Sequence, residues 1–325
     1  RGGVRGVRGV VSLAQSSQGR CVGVPPFAGH FGRQWRLIFA PRQVPAMPPH
    51  APRLAYVLLT LTALFWSGNF VLARAMHAAV PPMSLSFGRW LIAFALLAPM
   101  ALPRAWRCRQ AIRAQFGRVL ALSVLGVAAF NSLVYTGVQT TTATNAVLLN
   151  SFIPLLTVLF GALAFGQRLG RWQGVGLAVS FIGVLAIVSH GEWARLVGLN
   201  LNQGDVLVFS AMVCWAFYTL LLRGVSPDID RMGLMGVMTA LGLLAILPFF
   251  AWEISSGRLP TSTPATWATF AYVGIFPSVF AYLFFNYGVA QVGPARAAMF
   301  THLMPVFGAL LSFVFLGEGL AGYHF

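Results

Sequence analysis

Pairs of polar and aromatic residues recur in this chain at matching spacings. Asn131 and Tyr135 stand four apart in an apolar run, and Tyr282 and Asn286 repeat that relation. Trp66 and Asn69 stand three apart, as do Trp215 and Tyr218. Side chains three or four apart share one face of a helix. Asn145, Asn150, Thr301 and His302 add polar groups at the start of two further apolar runs. Such groups can line a wet cavity and hold a polar solute, or they can act as hydrogen-bonding glue between helices. For any one of them glue is the ordinary reading. The recurrence of the set points to a cavity.

Arg89 and Arg296 could read charge. Each lies close to an apolar run. An arginine there either snorkels to the interface or faces a cavity. In a cavity it would pair with a carboxylate or phosphate; interfacial anchoring is the competing reading for both. His302, beside Pro305, could take part in proton coupling, or it could simply hold helices together. All six acids, Glu192, Asp205, Asp228, Asp230, Glu253 and Glu318, fall at the ends of apolar runs or between them. No buried carboxylate relay is therefore visible; facilitated diffusion, exchange and coupling through His302 stay open. The chain shows no Ser/His/Asp arrangement, metal-ligand cluster or phosphate loop. The expectation is a protein that is not an enzyme and uses no metal and no cofactor.

These residues sit in a very apolar chain. Of 325 residues 58% are hydrophobic and 9% charged, with mean hydropathy +0.76; soluble domains carry about 25% charged residues. A membrane-spanning helix needs about 20 mostly apolar residues. Nine candidates follow one another, at 54–73, 84–102, 119–138, 145–165, 173–190, 206–223, 233–252, 267–288 and 297–316. Pro154, Pro277 and Pro305 fall inside spans and predict kinks. Cys21, Cys108 and Cys214 stand far apart and suggest neither a disulfide framework nor a metal site.

The net charge of +16 comes from arginine alone. Seven arginines precede Met47, and most of the rest lie in short gaps between apolar runs. That pattern fits the positive-inside rule rather than a nucleic-acid surface. With the N-terminus inside, the inner gaps hold ten arginines and the outer gaps three. Residues 1–53 form a basic, Gly/Pro-rich segment expected to be disordered. For 1–46 a mis-assigned start before Met47, a transit peptide and an RNA-binding arm are the three readings.

The two parts of the chain echo each other. Pro154 matches Pro305, Gly137 matches Gly288 and Ala146 matches Ala297 without a gap, and Trp66 lies over Trp215. The fold expected is an all-α multi-pass membrane protein of two repeats, 54–190 and 206–325. Five spans in the first repeat would invert the second, the plan of secondary transporters with a midplane site. The partner of the fifth span would begin near His324, so a tenth span is expected but missing from this chain.

"LTALFWSGNFVLAR", "TTTATNAVLLNSFIPLLTVLFGALAFGQRL" and "GPARAAMFTHLMPVFGALLSFVFLGEGL" together resemble the drug/metabolite transporter (DMT) superfamily, in its EamA-domain branch. The resemblance runs from about Ala55 to the end. It implies ten helices in two inverted repeats, a central cavity and transport of small metabolites, often amino acids. The acid usual after the fourth helix is Gln167 here, whereas Glu318 keeps it in the second copy.

The function expected is an exporter of small metabolites such as amino acids, working by alternating access. A nucleotide-sugar or nucleoside carrier and a lipid-handling or scaffold protein are the alternatives. Partners expected are a small-molecule substrate, the lipid bilayer and a second copy in a homodimer, with no nucleic acid. The location expected is a bacterial inner membrane, with the N-terminus cytoplasmic.

Overall fold

The computed structural model describes residues 52–141, 146, 149–166, 170–188 and 202–316. The basic segment up to 51, Asn145 and the last residues from 317 lie outside the described residues, as do the expectations that rest on them.

Helices account for the expected spans. α1 is Pro52–Ala75, α2 Pro82–Arg107, and a short α3, Arg109–Ala114, occupies the arginine-rich gap. α4 runs Phe116–Gly137, α5 Phe152–Phe165, α6 Arg171–Val188, α7 Gln203–Arg223, α8 Arg231–Ser255 and α9 Pro264–Val292. α10, Pro294–Met299, leads through a 3₁₀ turn at Phe300–His302 into α11, Leu303–Leu316. Six of these, α1, α2, α4, α7, α8 and α9, are long and apolar enough to cross a membrane.

Local chemistry sets their ends. Asn202 and Asp205 form a reciprocal capping box at the start of α7. Asp230 caps α8 through the Gly233 amide, and Thr263 caps α9 with Pro264 in the first turn. Gly293, at φ 86°, separates α9 from α10 with a backbone that side chains resist.

Two expected spans are broken rather than continuous. Pro154 and Pro305 each stand third in a helix, α5 and α11, instead of bending one in its middle. Proline cannot donate to the carbonyl four residues back. That releases the carbonyls of Asn150 and Thr301, and the chain turns at Ser151 and Phe300–His302. Two further irregularities are π-helical stretches, Ser123–Ala129 in α4 and Phe276–Phe280 in α9. The second contains the expected kink at Pro277. The first has no proline.

Packing joins the front and rear parts of the chain. α8 lies antiparallel on α2 in the largest interface, α9 on α1 and α7 on α4, while α11 joins α1 and α5 joins α7. The pattern is self-similar: α1 with α9 and α11 corresponds to α7 with α4 and α5. One end of the α2–α8 pair is tied by Glu253, which accepts from the Met83 and Ser84 amides at 3.0 and 2.7 Å and from the Ser84 hydroxyl at 2.9 Å. Asp205 accepts from the Thr141 hydroxyl at that same end. At the opposite end Arg118 donates to the Gly224 carbonyl, and the Ser226 amide donates to Gln115 at 3.0 Å. Polar ties thus close both ends around the middle of the bundle.

Candidate functional site

Arg89 sits at the centre of a buried polar network. Its side chain is 1% exposed. Nε donates to the Ser278 hydroxyl at 2.7 Å. Nη1 donates to Tyr135 at 2.5 Å, Asn131 at 2.8 Å and, more weakly, Asn69 at 3.4 Å. The guanidinium carbon lies 5.2 Å from the Trp90 ring centre and 5.8 Å from that of Tyr135. Every one of these partners is neutral. They come from α1, α2, α4 and the π stretch of α9, so one cation draws four helices together.

Members of different pairs meet across helices, in a patterned way. The Tyr135 hydroxyl donates to Asn69 Oδ1 at 2.8 Å, and the Tyr218 hydroxyl donates to Asn286 Oδ1 at 2.5 Å. The same bond recurs with tyrosine and asparagine exchanged between helices. Residues aligned by the repeat also touch one another directly. Asn131 Nδ2 approaches the Tyr282 hydroxyl at 3.2 Å, and His302 Nε2 pairs with the Ser151 carbonyl at 3.0 Å. Trp66 and Trp215 meet edge to face with centroids 4.9 Å apart. Edge-to-face packing suits the ring quadrupoles.

Gly126 in the π stretch of α4 is required by this packing. A Cβ there would lie 2.3 Å from the Tyr218 ring, and its carbonyl accepts from the Tyr282 hydroxyl. Trp66 Nε1 donates in turn to the carbonyl of Pro277 at 3.1 Å. Both π stretches therefore release carbonyls that rings from another helix take up. Such stretches are frequent at functional sites.

Between these groups lies a small cavity of about 10 Å³. That is room for roughly one water. Trp66, Asn69, Arg89, Asn131, Asn150, Trp215, Tyr282 and Thr301, all candidates from the sequence, line it. Tyr135, Tyr218, Asn286 and His302 are buried but do not line it; Tyr135 holds Arg89 and Asn69, and Tyr218 packs against Trp215. Arg296 differs from expectation: it is exposed on α10 and does not line the cavity. A six-residue helix beside a break leaves its long side chain free to face outward.

Phe70, Phe130, Ile153 and Met304 form the rest of the wall, and Ser278 serves Arg89 from behind. Sequence reading missed these five. Ser278 had a signal in its position beside Pro277, whereas the four apolar residues look like any core.

A bundle whose two halves enclose a polar cavity at helix breaks is the architecture of a membrane transporter, and the comparisons agree. The profile of the EamA-like transporter family matches residues 53–189 and again 202–325. The chain belongs to this family and is a multi-pass membrane transporter. An "Uncharacterized transporter" of Archaeoglobus fulgidus is 31% identical over 266 residues, covering 81% of this chain and 89% of that protein. The "Probable amino-acid metabolite efflux pump" of Escherichia coli K12 is 24% identical, covering 83% and 89%. A solved structure that is 20% identical shares the fold with a TM-score of 0.65, covering 83% of this chain and 91% of its own.

Proposed function

We propose that this protein exports small metabolites, amino acids among them, by alternating access in a bacterial inner membrane, with its N-terminus in the cytoplasm and the central cavity as solute site. The observation that carries this reading is the cavity itself. Helix breaks before Pro154 and Pro305 bring Asn150 and Thr301 to its wall, and polar ties close the bundle at either end. Opening one set of ties while the other holds would expose the cavity to one side at a time. The inverted-repeat plan read from the sequence supports the same motion, because aligned residues meet across the centre. The relative named as an amino-acid metabolite efflux pump supports the direction and the class.

A nucleotide-sugar carrier would want several cations around its site. Among the described residues Arg89 is the one cation lining the cavity.

The test compares metabolites outside cells that express the full-length protein with those outside cells expressing an Arg89→Ala, Tyr282→Ala double variant at matched membrane abundance. Mass spectrometry is expected to show one class of small metabolite accumulating outside only with the intact protein. Unchanged metabolite profiles at verified insertion would overturn the export reading.

A further inference from the structure

We propose that Arg89 and Trp215 form the anion-binding pole of the cavity, and that the ligand is a small organic monocarboxylate with an apolar body. This inference rests on the transport reading and adds the chemical group by which the solute is recognised.

The first argument is charge. Arginine stays protonated in proteins and carries five N–H donors. Nε and Nη1 of Arg89 are engaged, whereas Nη2 donates to no described residue. No described carboxylate reaches the guanidinium. Asp205 is held by Thr141 and Asn202, Asp228 by Ser226, Asp230 by the Gly233 amide and Glu253 by Ser84. Glu192 and Glu318 lie outside the described residues. A buried charge is costly unless it is paired, and neutral acceptors compensate it only in part. A ligand that brings one negative charge completes the balance.

The second argument is an unpartnered donor. Trp215 lines the cavity and is 1% exposed, and its indole N–H has no acceptor among the described residues. The aligned Trp66 has the carbonyl of Pro277 for its own N–H. The two tryptophans therefore differ in what they leave over. An indole N–H can only donate, so its missing partner is an acceptor.

The third argument is the rest of the wall. Phe70, Phe130, Ile153 and Met304 are apolar, and Asn69, Asn131, Asn150, Tyr282 and Thr301 are neutral, so none of them offers a charge to a ligand. One permanent cation and one unpartnered neutral donor on an otherwise uncharged, partly apolar wall match the two oxygens of a carboxylate on an apolar body. A phosphate dianion would leave a negative charge unbalanced. The space seen is about one water in size, so the ligand enters as the bundle opens, and Arg89 exchanges neutral acceptors for the carboxylate.

The experiment measures binding to the purified full-length protein by intrinsic tryptophan fluorescence, using probes that share a phenyl body. They are 3-phenylpropionate, phenylalanine, phenylalaninamide, phenethylamine and phenylphosphonate. Expected is binding of the two carboxylates at least about tenfold tighter than of the amide, the amine or the phosphonate, the factor set by a hydrogen bond to a charged group. Arg89→Gln should abolish that preference and Arg89→Lys should keep part of it. Trp215→Phe should weaken the carboxylates by about two- to tenfold.

The inference is overturned if the wild-type protein binds amide and acid alike, if phosphonate binds best, if no probe binds, or if Arg89→Gln keeps the acid preference. The wild-type series needs no variant, so a misfolded mutant does not decide the matter. Failure here beside a positive export comparison removes the anion pole alone. Selective binding without any exported solute removes the export reading alone.

Discussion

The two halves of the cavity wall share a hydrogen bond and differ in a charge. Each half has a tyrosine hydroxyl donating to an asparagine, Tyr135 to Asn69 at 2.8 Å and Tyr218 to Asn286 at 2.5 Å. Only the first half puts a cation on the cavity wall; Arg231 of the second half acts on Tyr218 but does not line the cavity. Pro99 in α2 aligns with Pro248 in α8, and the same spacing puts the buried Met238 where Arg89 stands. The acceptors differ as well. Asn131 and Ser278 serve Arg89, and their aligned positions hold Tyr282 and Val127. Among the described residues Asn286 has only the Met235 sulfur, 3.9 Å away, for its amide. The shared bond ties helices together in both halves. The charge on the wall stands in one half alone, beside an asymmetric set of acceptors.

The strongest way to break this comparison is to put a cation where the second half has none. Met238→Arg should cost about 3 kcal/mol, the scale for an unpaired charge at mid-bilayer depth. It would be seen as a lower Tm and reduced membrane abundance. The reciprocal Arg89→Met takes away the donor that Asn131, Tyr135 and Ser278 share and should also lower Tm, by a loss of about 1–3 kcal/mol for the buried acceptors it leaves unmet. A Met238→Arg protein as stable as wild type would mean that the halves are equivalent hosts and that the acceptor sets do not matter.

A gentler comparison removes one hydroxyl from each half. Tyr218→Phe loses a single neutral bond, worth about 1 kcal/mol. Tyr135→Phe loses the equivalent bond to Asn69 and also the acceptor 2.5 Å from Arg89, a charged partner worth about 1.5–3 kcal/mol. Thermal unfolding should show the larger loss for Tyr135→Phe, and only that variant should alter carboxylate binding. Equal losses with equal effects on binding would put the ligand on the axis between the halves rather than on the first.

Much of this was legible in the sequence because the bilayer imposes length and apolarity on every span. The runs from 54 to 316 correspond to helices, and spacings of three and four brought Trp66, Asn69, Asn131 and Tyr282 to one wall. Arg89 and Arg296 were not separable by composition. The phase of α2 could have separated them. Leu85, Arg89, Ala93, Leu97, Ala101 and Ala105 recur every fourth residue and are all buried, so Arg89 lies on the ridge that packs inward. Arg296 has no such ridge in six residues. The π stretch of α4 was hidden for another reason. Its place aligns with Pro277, but the aligned residue is Gly126, which carries no helix-breaking signature as strong as proline's.

That pair of bends yields the smallest and most specific test. If proline made the bend in α9, α4 should not have one, yet Ser123–Ala129 is π-helical without it. What the two stretches have in common is side chains on the released carbonyls. In α4, Asn131 Nδ2 reaches the carbonyls of Gly126 and Val127 at 3.3 and 3.2 Å. In α9, the Ser278 hydroxyl reaches Val273 at 2.6 Å, and Trp66 reaches Pro277 at 3.1 Å. Within a membrane a freed carbonyl must find such a partner, and once it has one the bend no longer depends on the missing amide. Pro277→Ala should therefore keep the bend and shift stability by less than about 1 kcal/mol, because it restores one donor without removing a partner. Unchanged Trp66 emission, Tm and export would follow. A blue or red shift of that emission with a larger loss of stability would show α9 straightening, and the two bends would then have different causes.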